Sequence, residues 1–356
     1  MKRIALMGLL LCGVSLQAGV AVAEDQVTVV SWGGQVTTAL TNAIYKPFTD
    51  KTGIKVNSED YDGGLAKLRA MSESNNVTWD VMDMESQDAE LACQEGLVIP
   101  INPDTDIEPG AGGASAKDDF GAVGLKKCGV GFDVWSYILA YDSSKFSGAK
   151  PSTPADFFDV QKFPGKRGLS KRPNATLEWA LMADGVPIDQ VYEVLSTPEG
   201  VDRAFKKLDA IKDNVVFWDA GAQPPQMLAA GTVTMTTAYN GRIFSAVQET
   251  KKPLEIIWDG QIMNLDYLVV TKGSKNPEAA MKFLKFASGA EPTAKISLGI
   301  PYGPVRKSAI TFVDKSILPH LPTAPENSKN ALVVDTDWWA DHADEMNERY
   351  AAWMAQ

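Results

Sequence analysis

Residues 26–61 read QVTVVSWGGQVTTALTNAIYKPFTDKTGIKVNSEDY, and this stretch decides the fold. The apolar run of Val27, Val29 and Val30 is a buried strand that stops at Ser31, Trp32, Gly33 and Gly34. Leu40, Ile44 and Phe48 then recur at helical spacing, and Gly53 closes that helix. A second strand begins at Ile54. The same alternation continues downstream. GLAKLRAMSES is a helix, WDVMDM a strand, and QDAELACQEG a short helix ended by Gly96. After a loop region rich in Gly, Pro and Asp, the strand VWSYILAYD follows. Thr153 and Pro154 open another helix, and ATLEWALMADG and PEGVDRAFKKLDAIKDN are helical. VVFW and TVTMTTAYNGR are strands, LEIIWDG and LDYLVVTKGS two more, and NPEAAMKFLKFASG and the C-terminal tail are helices. Strand–helix alternation of this kind predicts an α/β protein with open sheets covered on both faces. A tryptophan at the mouth of the first strand either packs under a loop or forms an aromatic wall facing a ligand.

The N-terminus has the form of an export signal. Lys2 and Arg3 precede an apolar run from Ile4 to Leu16, and Ala21-Val22-Ala23 is a small-residue cleavage site. Residues 1–23 are therefore expected to be removed on export. A lipid anchor at Cys12 is the rival reading, with Leu11 in the position where a small residue is wanted. The run is too short to span a bilayer. The full chain of 356 residues carries a formal charge of −11, and loss of the basic leader makes it two charges more acidic. That balance disfavours nucleic acid and anionic membranes as partners. Two cysteines remain beyond the leader, Cys93 and Cys128, and in an oxidising compartment an even pair predicts a disulfide.

Catalytic constellations are sparse. The chain has two histidines, His320 and His342, both near the C-terminus. It has no G-x-S-x-G elbow, no P-loop, no H-E-x-x-H and no Cys/His spacing suited to zinc, so neither cofactor nor metal is expected. Paired carboxylates would still allow a secreted hydrolase. Aromatic and acidic residues at strand ends are more prominent: Trp32, Trp79, Trp218, Tyr239, Trp258, Asp266 and Tyr302.

At SWGGQ…YKPFTDKTGIKV, at YNGR (239–242) and at LDYLVVTKGSKNPEAAMKFLKFA (265–287), the chain resembles the periplasmic substrate-binding proteins of ABC importers. It resembles the branch that holds the spermidine/putrescine-binding proteins. The resemblance spans the mature chain. It implies a type II two-lobe fold with a ligand cleft between lobes joined by hinge segments. Lobe 1 is then expected over 24–136 and 267–303, and lobe 2 over 137–266 and 304–356. It also implies a receptor without catalytic activity, a monomer in the periplasm. Its partners would be a small amine-bearing ligand and, transiently, an ABC permease of the inner membrane.

In such proteins aromatic rings stack on an aliphatic chain and acids receive ammonium groups, which is favourable cation–π and charge-assisted hydrogen bonding. By that resemblance Trp32, Tyr239 and Asp266 fall on ligand-binding positions. The departures point to a changed ligand. Gly33 and Gly34 follow Trp32, and Met84-Glu85-Ser86-Gln87 replaces a P-S-x-Y pattern. Asn264 stands two before Asp266, and Arg172 and Arg242 appear near the cleft positions. An acid at one end and a guanidinium at the other suit an ω-amino acid such as γ-aminobutyrate or 5-aminovalerate. Two acids, with Glu85 as the second, would suit a polyamine instead. The candidate ligand-binding residues are Trp32, Gly33, Glu85, Ser86, Arg172, Tyr239, Arg242, Asp266 and Tyr302.

Overall fold

Two long strands organise the molecule, whose computed structural model describes residues 25–356. In chain order the strands are β1 (Gln26–Ser31), β2 (Lys55–Asp60), β3 (Val81–Glu85), β4 (Gly129–Asp142), β5 (Arg167–Ser170) and β6 (Val215–Trp218). They continue with β7 (Met235–Tyr239), β8 (Leu254–Val270), β9 (Gly303–Pro304) and β10 (Leu332–Val333). The sheet order is β2-β1-β3-β8-β4-β7-β5-β6, with β9 on β4 and β10 on β8. β1, β2 and β3 run parallel, and so do β5, β6 and β7. Each parallel set is joined to the other by the antiparallel pair β4 and β8, which extend through both. This is the two-lobe α/β arrangement, with β4 and β8 as the crossing segments.

The sequence reads LEIIWDG and LDYLVVTKGS as separate strands, whereas β8 is continuous over 17 residues. Gly260, at φ 69°, and the polar Asn264 interrupt the apolar pattern without ending the ladder. The first helical pattern is likewise split by a five-residue π-helical segment at Thr41–Tyr45, between helices Gly34–Leu40 and Lys46–Thr52. The Gly/Pro/Asp-rich loop contains a helix at Ala116–Gly124, capped by Ser115. Thr153 caps its helix as its sequence indicates, in a reciprocal arrangement with Asp156.

Each parallel set has its own core. One gathers Val27, Leu40, Ile44, Phe48, Phe132, Phe283 and Leu284. The other gathers Phe157, Leu177, Trp179, Leu208, Ile262 and Trp339. Separate cores joined by two strands are the basis for lobe motion. Residues 305–321 pack back on the first set, whereas the C-terminal helix Thr336–Ala355 packs on the second core. Arg306 pairs with Asp119 at 2.7 Å, both buried, and Ala309, Val313 and Leu321 cover Ala294. Cys93 and Cys128 form the disulfide expected from their even count, with Cα atoms 5.7 Å apart. The export signal lies outside the described residues. Among those described, no helix is long and apolar enough to cross a membrane.

Candidate functional site

Every parallel strand delivers its C-terminal end to one crevice. Trp32 follows β1, Tyr61 and Asp62 follow β2, Glu85 ends β3, and Arg172 follows β5. Asp219, Ala220 and Gly221 follow β6, and Tyr239 ends β7. Open α/β sheets bind ligands at this edge, because chain reversals into the next helix leave backbone and side chains unpaired there. Val36, Trp135, Arg242, Asp266 and Tyr302 complete the lining of a cavity of about 80 Å³.

The walls are aromatic. Trp32 and Tyr61 have ring centroids 4.8 Å apart. Opposite them Tyr239 packs against Trp135 at 5.3 Å, Tyr137 at 5.4 Å and Trp218 at 6.0 Å. Part of the lining is acidic. Asp266 on β8 stands directly opposite Glu85 on β3 and Asp133 on β4 in the sheet register. Asp266 accepts a 2.7 Å hydrogen bond from Trp135 Nε1. Glu85 accepts from Gln87 Nε2 and, at 3.4 Å, from Tyr137 OH. Burial, reinforced by Asp88 and offset by Arg172, pushes the Glu85 carboxyl up to about 7. Burial and the neighbouring charges of Asp83, Asp133 and Glu85 hold Asp266 well above the usual carboxylate range.

Two guanidiniums join the lining. Arg172 enters between β5 and helix Thr176–Ala183, and its Nη2 donates to the Asp62 carbonyl at 2.5 Å. Arg242, in helix Asn240–Thr250, directs Nη2 toward the carbonyls of Trp32 and Gly33 at 3.4 and 3.5 Å. Both therefore reach from one parallel set to the other. Gln35 and Glu249 make a third contact of this kind.

Seven of the expected binding residues meet in this cavity: Trp32, Glu85, Arg172, Tyr239, Arg242, Asp266 and Tyr302. Gly33 and Ser86 do not line it. Gly33 adopts φ 71°, and a Cβ there would lie 3.0 Å from Asp60 Oδ2. A Cβ on Gly34 would lie 3.0 Å from Arg242 Nη1. The space beside Trp32 is thus taken by protein groups, and the glycines admit the arginine. Ser86 turns inward instead, donating to Asn264 Oδ1 at 2.7 Å. Trp79 and Trp258 lie away from the cavity, the first buried and donating to Glu59, the second against a core cluster.

Tyr61, Trp135 and the Asp219–Gly221 loop were not legible as site residues. Trp135 sits mid-strand in an apolar run and reads as core. Its role depends on the register shift between Gly131 and Asp133, which places its indole beside Asp266. Tyr61 and residues 219–221 could have been found by taking the residues after every parallel strand, not only after β1, β3 and β7.

Two parallel sets bridged by crossing strands, with one lined cavity between strand ends, define the two-lobe solute-binding class. The chain belongs to the bacterial extracellular solute-binding protein family, which it matches over residues 43–323. It is 43% identical to a gamma-aminobutyric acid-binding protein of Pseudomonas aeruginosa, over 97% of this chain and 96% of that protein. Among solved structures, it is 30% identical to the binding protein MotA of A. tumefaciens B6 in complex with glucopine. That match has a TM-score of 0.84 and covers 92% of this chain and 99% of that one. A solved GABA receptor is 34% identical, with a TM-score of 0.81, over 93% of this chain and 98% of that one.

Proposed function

We propose that this protein is the periplasmic receptor of an ABC importer, a monomer without catalytic activity that captures γ-aminobutyrate or a close ω-amino acid such as 5-aminovalerate. The observation that carries this reading is that one small aromatic cavity is lined by both carboxyls, Asp266 and Glu85, and guanidiniums, Arg172 and Arg242. A zwitterion satisfies both kinds of group, with its methylenes against Trp32 and Tyr239. The relative that binds gamma-aminobutyric acid, matched over nearly the full chain, supports the same ligand class.

A polyamine fits less well. Asp266 and Glu85 are register partners on adjacent strands, so they face one ammonium together instead of opposite ends of a diamine. The hinge is assigned to β4 and β8 near the register shifts at Gly131/Asp133 and Tyr137/Leu139. Closure brings the arginines onto the ligand carboxylate, since ligand meets both walls only when they approach. Transfer to an inner-membrane permease follows from the class.

Calorimetry with γ-aminobutyrate, 5-aminovalerate, putrescine and spermidine tests the reading. The ω-amino acids should bind at least tenfold tighter than either polyamine. Equal or tighter binding of putrescine overturns it.

A further inference from the structure

Behind Asp266 lie two more carboxyls that the ligand-binding scheme does not use. Asp83 on β3 and Asp133 on β4 are 1% and 2% exposed, and Asp266 is 2% exposed. Ser31 Oγ donates to Asp83 Oδ2 at 2.7 Å, and Trp135 Nε1 donates to Asp266. Asp83 lies two residues before Glu85, the register partner of Asp266, and so shares its face of the strand, while Asp133 stands directly opposite Asp266. Asp83 Oδ1 and Asp133 Oδ1 are fully buried and have no partner. Of the remaining titratable groups around the cluster, Glu85 is acidic, and Tyr45, Tyr61, Tyr239 and Tyr302 are neutral phenols held high by burial. Asp60 faces Tyr45, and Asp88 faces Tyr61. Arg172 acts on Glu85, Asp88, Tyr137 and Tyr239, and Arg242 on Tyr239 and Tyr302. Neither offsets the three aspartates.

Three buried carboxylates without a cation cannot all ionise, and a facing pair shares a proton. Only Asp266 opens on the cavity. A cation arriving there changes the balance, because it stabilises the ionised form of each acid behind it.

We propose that Asp83, Asp133 and Asp266 form a proton-exchanging ammonium site, in which the ligand ammonium replaces a proton that the cluster holds when empty. One positive charge enters and one proton leaves to solvent, so the cluster's net charge is conserved. The inference rests on the reading that the ligand presents an ammonium to Asp266. Burial pushes Asp83 up to about 7 and holds Asp133 and Asp266 well above the carboxylate range. An alkylammonium resembling Lys, with a pKa near 10.4, stays charged throughout that interval. Affinity should therefore rise with pH through the neutral range, by up to about tenfold per pH unit for each proton released.

The test is calorimetric titration of the intact protein with γ-aminobutyrate at pH 6 in two buffers that hold that pH and differ in ionisation enthalpy, phosphate and MES. The expected result is a buffer-dependent heat corresponding to about one proton released. Asp133→Asn, which leaves the cavity lining intact, should lower that number and flatten the pH dependence of the affinity. Binding with no proton exchange between pH 5.5 and 8 overturns the inference while leaving the ligand assignment standing. Absence of binding heat with every amine overturns the assignment itself. If Asp133→Asn fails to fold, the wild-type buffer dependence alone decides.

Discussion

The acids and the guanidiniums of the cavity are held in opposite ways. The acids belong to the interior of the sheet. Glu85, Asp133 and Asp266 occupy neighbouring register positions on three strands, where backbone pairing holds them fixed and buried. The two guanidiniums are carried by a loop and a helix start, and they reach across to backbone carbonyls of the first parallel set. On the proposed reading, the desolvated acids receive the ammonium, and the arginines that bridge the two parallel sets receive the carboxylate. If the ligand is the proposed zwitterion, the expensive desolvation of charge falls to the part that backbone pairing holds in place.

The strongest test of this contrast is Asp266→Asn. The variant keeps the shape and an acceptor for Trp135 but removes the charge, and truncating a buried charge partner costs about 2–5 kcal/mol. Affinity for γ-aminobutyrate by calorimetry should fall at least about 30-fold. A smaller loss would mean that the acid wall is structural. Arg172→Ala and Arg242→Ala come next, at about 1.5–3 kcal/mol for a lost charged hydrogen bond. Their decisive control is an amine without a carboxylate. If butylamine weakens as much as γ-aminobutyrate, the arginines are closure struts and not carboxylate partners. Trp32→Leu should cost about 0.5–2 kcal/mol of cation–π and stacking energy, measured the same way.

The smallest effect concerns stability and separates the two lobes. Glu178 is buried in the second core, where Trp339 Nε1 and Tyr192 OH donate to it at 2.8 and 3.0 Å. Burial outweighs those bonds and pushes it up to about 7, as it does Asp83 and Glu85. Raised carboxyls favour the folded state below their unfolded pKa near 4, and that contribution is lost as pH rises through about 7. The melting temperature of the ligand-free protein should therefore fall between pH 5 and 8. Glu178→Gln should flatten part of that fall and leave ligand affinity unchanged. A change in affinity would tie the second core to the site.

Trp32 was legible because a tryptophan beside two glycines at a strand end is a local anomaly. Cys93 and Cys128 were legible because their number and compartment suffice. Arg172, Arg242 and Glu85 stood out as departures from a resembled pattern. Trp135 and Tyr61 were not, since each looks like an ordinary aromatic of an apolar or amphipathic strand. Asp83 and Asp133 were hidden for the same reason: an acid in WDVMDM or GVGFDVW gives no sign of the face it will occupy. Ser86 lies one residue beyond Glu85, and that single step turns it from the cavity to Asn264.

By itself the sequence determined the strand–helix order, the apolar stripes, the glycines Gly53 and Gly96 that close two of the helices, and the chemical types available at the strand ends. These are local properties, set by spacing and backbone preference within a few residues. Only the tertiary structure decided which acids share one wall and which guanidiniums oppose them. That outcome depends on register between distant strands, as with Trp135 and Asp266, which meet across 131 residues of chain. A strand's pattern says which of its residues share a face, but not which neighbour will stand opposite them.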